Sequence, residues 1–488
     1  MEILKVRSER SDISLSPVLS REKNKITLLT GPNGCGKTEI LTVLANAFRA
    51  KKLLPDGHYV QWRRAGNLFD TLIRHDGARE YPERIIAQTF SPFSRFPAVL
   101  KMKTTLTDVY SKGRSSENSY ITIGFHRSSK FGGANITRQV LKEAIYRISE
   151  STYTVSVISK ILLNLGYRDE ITFHFESLPQ LDAVRRDSDP LGAAIALLKN
   201  AAERFNTFKY KNGIIKELRM HGYDGVAELI SEAIKILAEF EIKNSIFRYK
   251  VQFTSGRRSS DFSVIQSFAL LDRLKLLRLE SCLLTRASGE TMDAANASSG
   301  QQQILCSIIG LATAIKDDSL VLIDEPELSL HPQWQQLFLE FLRAALLPFK
   351  DCHVFVATHS PLIVQRARAL GIDVVTLGRR ELAEPKGGAD SSVEETLMDV
   401  FETPVPYSSH LANKVFGIVS LVEEEALARP DLTPLKARAE YELEALQRLY
   451  VAAPVRDSKS LALLSDALEL VRMDPYDNNM KSNISRDD

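Results

Sequence analysis

Residues 31–38 read Gly31-Pro32-Asn33-Gly34-Cys35-Gly36-Lys37-Thr38, the complete G-x-x-x-x-G-K-T spacing of a phosphate-binding loop. Glycines at these positions let backbone N–H groups turn inward onto a triphosphate. The lysine reaches the β- and γ-phosphates, and the threonine hydroxyl can ligate Mg²⁺. The loop follows an apolar run, residues 26–30, as a strand feeding a helix requires. A helix starting near Lys37 would aim its positive end at the same anion. A second chemical pair, Asp324 and Glu325, closes the apolar run Leu320-Val321-Leu322-Ile323. A continuous apolar run marks a buried parallel strand, and functional groups emerge at its C-terminal end. There Asp324 is suited to hold Mg²⁺, directly or through water, and Glu325 to polarise the attacking water. Alone, the two acids read equally well as a solvated strand end; the phosphate loop upstream favours the chemical reading.

Three more strings stand in a fixed order with these. Ala297-Ser298-Ser299-Gly300-Gln301-Gln302-Gln303 precedes an apolar helix, with Gly300 24 residues ahead of Asp324 (324 − 300). By itself it is a capped helix start. Thr358-His359-Ser360-Pro361 follows the apolar run 354–357, and Gln88 stands near the end of the run 85–90. In this order the strings resemble those of the ATP-binding-cassette ATPases. The resemblance implies that Ser299, Gly300 and Gln301 grip the γ-phosphate held by a facing subunit. It makes His359 the switch histidine, and Gln88 the glutamine that senses Mg²⁺ and the attacking water. It gives residues 327–332 to the loop that pairs across a dimer. The catalytic set it implies is Glu325, His359 and Gln88. The nucleotide set is Asn33, Gly34, Gly36, Lys37 and Thr38 with Ser299, Gly300 and Gln301. The metal set is Thr38, Asp324 and Gln88. The cofactors are ATP and Mg²⁺, in a homodimer or larger homo-oligomer with composite ATP sites.

The string Ile323-Asp324-Glu325-Pro326-Glu327-Leu328-Ser329-Leu330-His331-Pro332, with Thr358-His359-Ser360-Pro361, resembles the soluble bacterial branch of this family. That group includes the overcoming-lysogenization-defect proteins, RecF-like ATPases and structural-maintenance-of-chromosomes heads, and it is rich in antiphage-defence ATPases. Ile85-Ile86-Ala87-Gln88-Thr89-Phe90-Ser91-Pro92-Phe93 resembles the Septu-type ATPase, also found in some retron systems, with the ATPase of the PARIS system as the alternative. The Septu resemblance implies a separate HNH nuclease as partner; a Toprim nuclease is the alternative. A Toprim domain needs a glutamate and an Asp-x-Asp to hold two metal ions, and no Asp-x-Asp follows His359. The triplet Asp187-Ser188-Asp189 reads as a loop. A chromosome- or repair-type clamp ATPase without a nuclease shares every catalytic residue and stays open. A transporter ATPase is disfavoured by the separation of 262 positions from Thr38 to Gly300 (300 − 38).

Composition sets the frame around these residues. With 63 Lys+Arg and 61 Asp+Glu, the 488-residue chain has a net charge of +2, so it is no polybasic nucleic-acid binder as a whole. Trp62-Arg63-Arg64 and Phe247-Arg248-Tyr249-Lys250 offer local contacts for nucleic acid, but each reads more readily as a strand or loop edge. Cys35, Cys282, Cys306 and Cys352 stand far apart, which argues against zinc and disulfides and fits a reducing cytoplasm. No apolar run nears the ~20 residues that span a bilayer, so no membrane role is expected. The fold class expected is α/β: an ABC-ATPase head with a mixed or parallel sheet, a helical insertion and C-terminal helices. The boundaries expected are 1–133 for the first lobe, 134–245 for the insertion, 246–400 for the second lobe and 401–488 for helices and a polar tail. Gly222 and Gly225 are expected to interrupt the insertion before an amphipathic helix at 226–237.

Overall fold

The apolar run before the two acids forms the strand Ser319–Asp324, all six of whose residues are buried. A strand can bury every residue only if both faces of its sheet are covered. The computed structural model describes residues 1–15, 23–49, 54–72, 80–91, 95–97, 119–124, 133–148, 152–205, 214–238, 240, 242–243, 245–253, 259–378, 392–426, 433–453 and 457–473. Ser319–Asp324 lies in a six-stranded sheet ordered Asp373–Thr376, Lys25–Thr30, His353–Ala357, Ser319–Asp324, Arg84–Thr89, Ser119–Gly124. It pairs in parallel with Arg84–Thr89, which pairs in parallel with Ser119–Gly124. Helices alternate with these strands, as parallel pairing demands. The α/β class expected from the sequence is what forms.

Contacts group the chain into two units: Met1–Ile26 with Thr38–Val356, and Thr27–Lys37 with Ala357–Asp488. The first carries two further, antiparallel sheets. One, of four strands, runs Asp12–Ser14, Glu2–Arg7, Tyr59–Arg64, Asn67–Asp70. Its Trp62 is buried, packs edge-on to Phe48 at 5.0 Å, and donates its indole N–H to Glu80 O. Arg63 pairs with Glu2 and Arg64 with Asp318. The other, of five strands, runs Thr291–Asp293, Leu277–Arg286, Tyr167–Ser177, Ile246–Gln252, Ile242–Lys243. Phe247 and Tyr249 are buried beneath it and Lys250 bonds Glu170. In both basic clusters, then, the aromatic rings belong to the core and are not free to stack on bases.

Two expectations for the insertion are corrected. Residues 134–245 do form helices, but the 11-residue strand Tyr167–Ser177 runs through the middle of the five-stranded sheet. Its alternation of Ile171, Phe173 and Phe175 inward with polar residues between is a period of two, obscured by the helical stretches on either side. Gly222 and Gly225 do not break the chain: the helix Ile214–Leu237 passes through both. Glycine costs only about 1 kcal/mol in a helix interior, which packing of a 24-residue helix outweighs. Residues 110–118, which read as a polar loop in the sequence, and the polar tail from 474 lie outside the described residues.

The second unit ends in helices Ser409–Ala426, Thr433–Val451 and Ser458–Arg472. They share a core that includes Leu411, Val415, Leu443, Tyr450 and Leu464. Charges on Thr433–Val451 are joined within the bundle, where Arg472 reaches Glu440 and Glu444.

Phe268 is the hub under the five-stranded sheet. It stacks on Phe175 at 4.6 Å and meets Phe240, Phe247 and Tyr249. Phe268→Ala is expected to cost about 3–5 kcal/mol, the usual scale for emptying an aromatic core site. Urea titration followed by aromatic circular dichroism checks this; an unchanged midpoint would contradict the hub.

Candidate functional site: a phosphate loop, a carboxylate strand and a capped helix

The phosphate loop connects the strand Lys25–Thr30 to the helix Lys37–Arg49. Gly31, Gly34 and Gly36 all adopt positive φ (135°, 79° and 102°), a conformation that a side chain resists. At Gly31 a Cβ would stand 2.3 Å from Leu377 O, a backbone atom that cannot swing away. Lys37 is only 5% exposed, and its ammonium donates to Gly31 O at 2.7 Å and Pro32 O at 3.0 Å. The charge is thus folded inside the ring of its own loop. Asn33 and Gly34 are exposed at the tip.

In the same unit as Lys37, His359 follows the strand His353–Ala357. Thr358 N–H donates to Leu29 O, and Ser360 caps the next helix by accepting from Ile363 N. His359 is therefore fixed on both sides. Burial, and then the nearby Lys37 charge, push its pKa from 6.5 down to about 4. It is a neutral imidazole at physiological pH.

In the other unit, the Thr38 hydroxyl donates to Asp324 Oδ1 at 3.0 Å. Asp324 is 4% exposed. This pair is a test of fit for Mg²⁺. The ion takes hard oxygen ligands, uses one or two carboxylates, and fills its remaining positions with water and substrate phosphates. A hydroxyl and a buried carboxylate brought together beside a phosphate loop fit that demand. Among the described residues no three His, Cys, Asp or Glu cluster as an all-protein metal cage.

Glu325 leaves the strand with φ 49°, a left-handed conformation that a non-glycine residue holds only under constraint. The constraint is visible: Gln303 Nε2 donates to Pro326 O at 2.7 Å, and Leu328 N returns to Glu325 O. Glu325 itself is partly exposed at the strand end.

Gln88 lies elsewhere than expected. It is inside the strand Arg84–Thr89, not past it, and is wholly buried. The register pairs it with Ile323, while Thr89 pairs with Asp324, so its side chain takes the opposite face from the Asp324 carboxylate. Its amide bonds the Ser307 hydroxyl, and its Oε1 has no partner among the described residues. The structure does not bring Gln88 to Thr38 and Asp324.

The third string forms the helix Ser299–Ile304. Ser298 caps it, accepting from Gln301 N, while Gln301 Oε1 accepts from Ser298 N. The Gln301 side chain is thereby used within its own helix. Ser299 is exposed, and Gly300 is pressed so close to the following loop that a Cβ would lie 2.6 Å from Ser329 O and 2.9 Å from the Trp334 ring. The N–H groups of Ser299 and Gly300 are the two first-turn donors that the capping box leaves for another acceptor. The apolar helix expected after this string is divided by a π-turn, Leu305–Ile309, between Ser299–Ile304 and Gly310–Ala314. The wider turn lies where Ser307 meets Gln88, and such turns occur often at functional sites. His331, in the string assigned to the dimer loop, caps the helix Pro332–Leu346 by accepting from Gln333 N. Gln303, Ser307, Thr137, Arg138 and Asp293 were not singled out from the sequence; their partners lie up to 219 residues away, so no local string could reveal them.

With this geometry in place, likeness to known proteins can be set beside it. Residues 227–365 match a family described as "AAA domain, putative AbiEii toxin, Type IV TA system". The match spans Ser299, Gly300, Asp324, Glu325 and His359. The match and the phosphate loop together support ATPase activity. Among particular relatives, the chain is 24% identical to the Retron Ec83 probable ATPase of Escherichia coli, over 80% of this chain and 74% of that one. It is 22% identical to the Retron Vc95 probable ATPase of Vibrio cholerae, over 83% and 80%. Protein ea59 of Escherichia phage lambda is 41% identical over 14% of this chain and 13% of its own. A solved Smc head domain of Pyrococcus furiosus, bound to the C-terminal domain of ScpA, is 12% identical with a TM-score of 0.26, over 75% of this chain and 92% of that one. Among the described residues no helix is long and apolar enough to cross a membrane.

The His359 environment predicts its titration. Because its folded pKa lies below the ordinary 6.5, the unfolded chain binds more protons between pH 6.5 and 4. Stability linked to this group is complete above pH 6.5 and declines as pH falls toward 4. Histidine-selective NMR of the nucleotide-free protein, assigned with His359→Gln, should give a midpoint near 4; a midpoint near 6.5 would place the ring in open solvent.

Proposed function

We propose that the chain is the ATP-binding and ATP-hydrolysing subunit of a bacterial antiphage-defence complex, and that it controls a separate nuclease through nucleotide-dependent dimerisation. The observation that carries the ATPase reading is the Thr38–Asp324 hydrogen bond, which joins the end of the phosphate loop to the carboxylate strand. The defence reading is supported by two retron probable ATPases, each similar over four-fifths or more of the chain.

On this reading the N–H groups of Asn33, Gly34 and Gly36 line the triphosphate, and Lys37 leaves its loop carbonyls for the β- and γ-oxygens. Thr38 and Asp324 would hold Mg²⁺, which would supply charge neutralisation at the phosphates. Glu325 orients a water and accepts its proton as the water oxygen bonds to the γ-phosphorus. The bond from that phosphorus to the bridging oxygen breaks, giving ADP and phosphate. Neutral His359 donates a hydrogen bond to a γ-oxygen without adding charge. Gln88 acts from behind the strand, through its contact with Ser307. Ser299 and Gly300 present their N–H groups to the γ-phosphate bound by a second copy, so two chains share two sites.

Lys37→Ala should abolish ATP binding. Glu325→Gln should bind ATP but hydrolyse it at least ~10²-fold more slowly, the scale of lost acid–base help, and accumulate as an ATP-bound dimer. Calorimetry, phosphate release and sedimentation check this; near-normal turnover in Glu325→Gln would move the base elsewhere.

The nuclease is proposed as a second polypeptide, HNH in type with Toprim as the alternative, docked on the C-terminal helices or the insertion. Asp187 and Asp189 are occupied in a turn, where Asp189 Oδ1 accepts from Gly192 N and Asp187 Oδ1 from Asp189 N, which suits a structural role. The purified chain should hydrolyse ATP yet leave DNA and RNA intact with Mg²⁺ or Mn²⁺, while co-expression with a nuclease encoded beside it should yield a complex that cuts. Cleavage by this chain alone, lost in Asp187→Ala, would overturn the proposal.

A further inference from the structure

The segment leading to Ser299 has little structure of its own. After the short strand Thr291–Asp293 comes a single 3₁₀ turn, Ala294–Asn296, then the extended Ala297. Such a segment leaves carbonyls that must find partners elsewhere. Gln302 supplies them, its amide nitrogen donating to Ala295 O at 2.9 Å and to Ala297 O at 2.8 Å. Its amide oxygen accepts in turn from the Thr137 hydroxyl at 3.0 Å. The other end of the segment is held at Asp293. One carboxylate oxygen accepts from Ala295 N at 2.8 Å and from Arg138 Nε at 3.0 Å; the other accepts from Arg138 Nη2 at 2.8 Å. Thr137 and Arg138 are neighbours on one helix, Gly133–Ile148, more than 150 residues earlier in the chain. That helix is anchored by a buried ion pair, Lys142 to Asp272 at 2.8 Å, and it packs near Gly310 beyond the π-turn.

We infer that Arg138 and Thr137 are positioning residues for the phosphate-gripping turn at Ser299 and Gly300. The inference deepens the ATPase reading and rests on it. The two arms reach the segment from one rigid helix, so a shift of that helix moves both ends of the segment together. A bidentate guanidinium–carboxylate pair fixes direction as well as distance, which a single hydrogen bond does not. The first helix of the insertion thereby sets whether the N–H groups of Ser299 and Gly300 converge on a phosphate. Anything that displaces this helix acts on the shared site without touching nucleotide.

The test uses the full chain with Arg138→Ala, Arg138→Lys and Thr137→Val. Affinity for ATP should stay within about twofold of the unmodified chain, since the phosphate loop is untouched, while kcat in Arg138→Ala falls by ~10-fold or more. Arg138→Lys keeps the charge but loses the fork, so it should also lower kcat, and it serves if the alanine variant folds poorly. In a Glu325→Gln background, both Arg138 variants should need more protein to form the ATP-bound dimer. Mixing Arg138→Ala with Lys37→Ala chains should restore turnover, because one composite site then combines an intact loop with an intact turn. Wild-type kcat in both Arg138 variants, or a loss that no mixing restores, would overturn the inference. Failure of the underlying reading looks different: the unmodified chain would not hydrolyse ATP, or Ser299→Arg would leave turnover unchanged.

Discussion

The hydrogen bond between the Thr38 hydroxyl and Asp324 is the constraint on which the site depends. It requires the first turn of one helix and the last residue of one strand, 286 positions apart, to end at the same place. A carboxylate that is 4% exposed is costly to desolvate unless it is bonded. The surrounding order serves this meeting. The strand Ser319–Asp324 is buried throughout, so its register against Arg84–Thr89 cannot slip by one residue without turning apolar side chains out of the core. That register delivers Asp324 to the rim and sends Gln88 to the other face.

Beyond Asp324 the chain turns at once, and the turn is strained. Glu325 holds φ 49° and Ser329 φ 63°. Gln303 and Gly300, one helical turn apart, supply the restraint: one bonds Pro326 O, and the other lets Ser329 and Trp334 approach without a side chain in the way. Ser307, a further turn on, reaches Gln88. One face of the helix that begins at Ser299 thus touches the turn after Asp324 and, through Ser307, Gln88 inside the neighbouring strand.

The glycines divide into two kinds. Gly31, Gly34 and Gly36 serve backbone conformation, since each has positive φ. Gly300 serves close approach alone, with helical backbone and no room for a Cβ. The string around Ser299 therefore carries two requirements at once: a capped helix start, and a flat surface against Ser329 and Trp334.

The sequence alone determined the local chemistry. The spacing of residues 31–38 dictated the loop, the apolar run before Asp324 dictated a buried strand with two acids at its end, and Ser298 with Gln301 dictated a capped helix. Each is legible because its physics is local: φ preference, side-chain period and capping act within a few residues. The sheet order, the position of Gln88 and the clasp of Arg138 on Asp293 were decided only by tertiary structure. Gln88 sits at a strand end in the sequence, but which face it takes is fixed by pairing with a strand more than 200 residues away. The strand Tyr167–Ser177 was hidden for a related reason, because its partners lie in later segments and its neighbours in sequence are helices. Long-range hydrogen bonds such as Thr137 to Gln302 leave no periodic trace in the chain, since folding, not spacing, brings the two residues together.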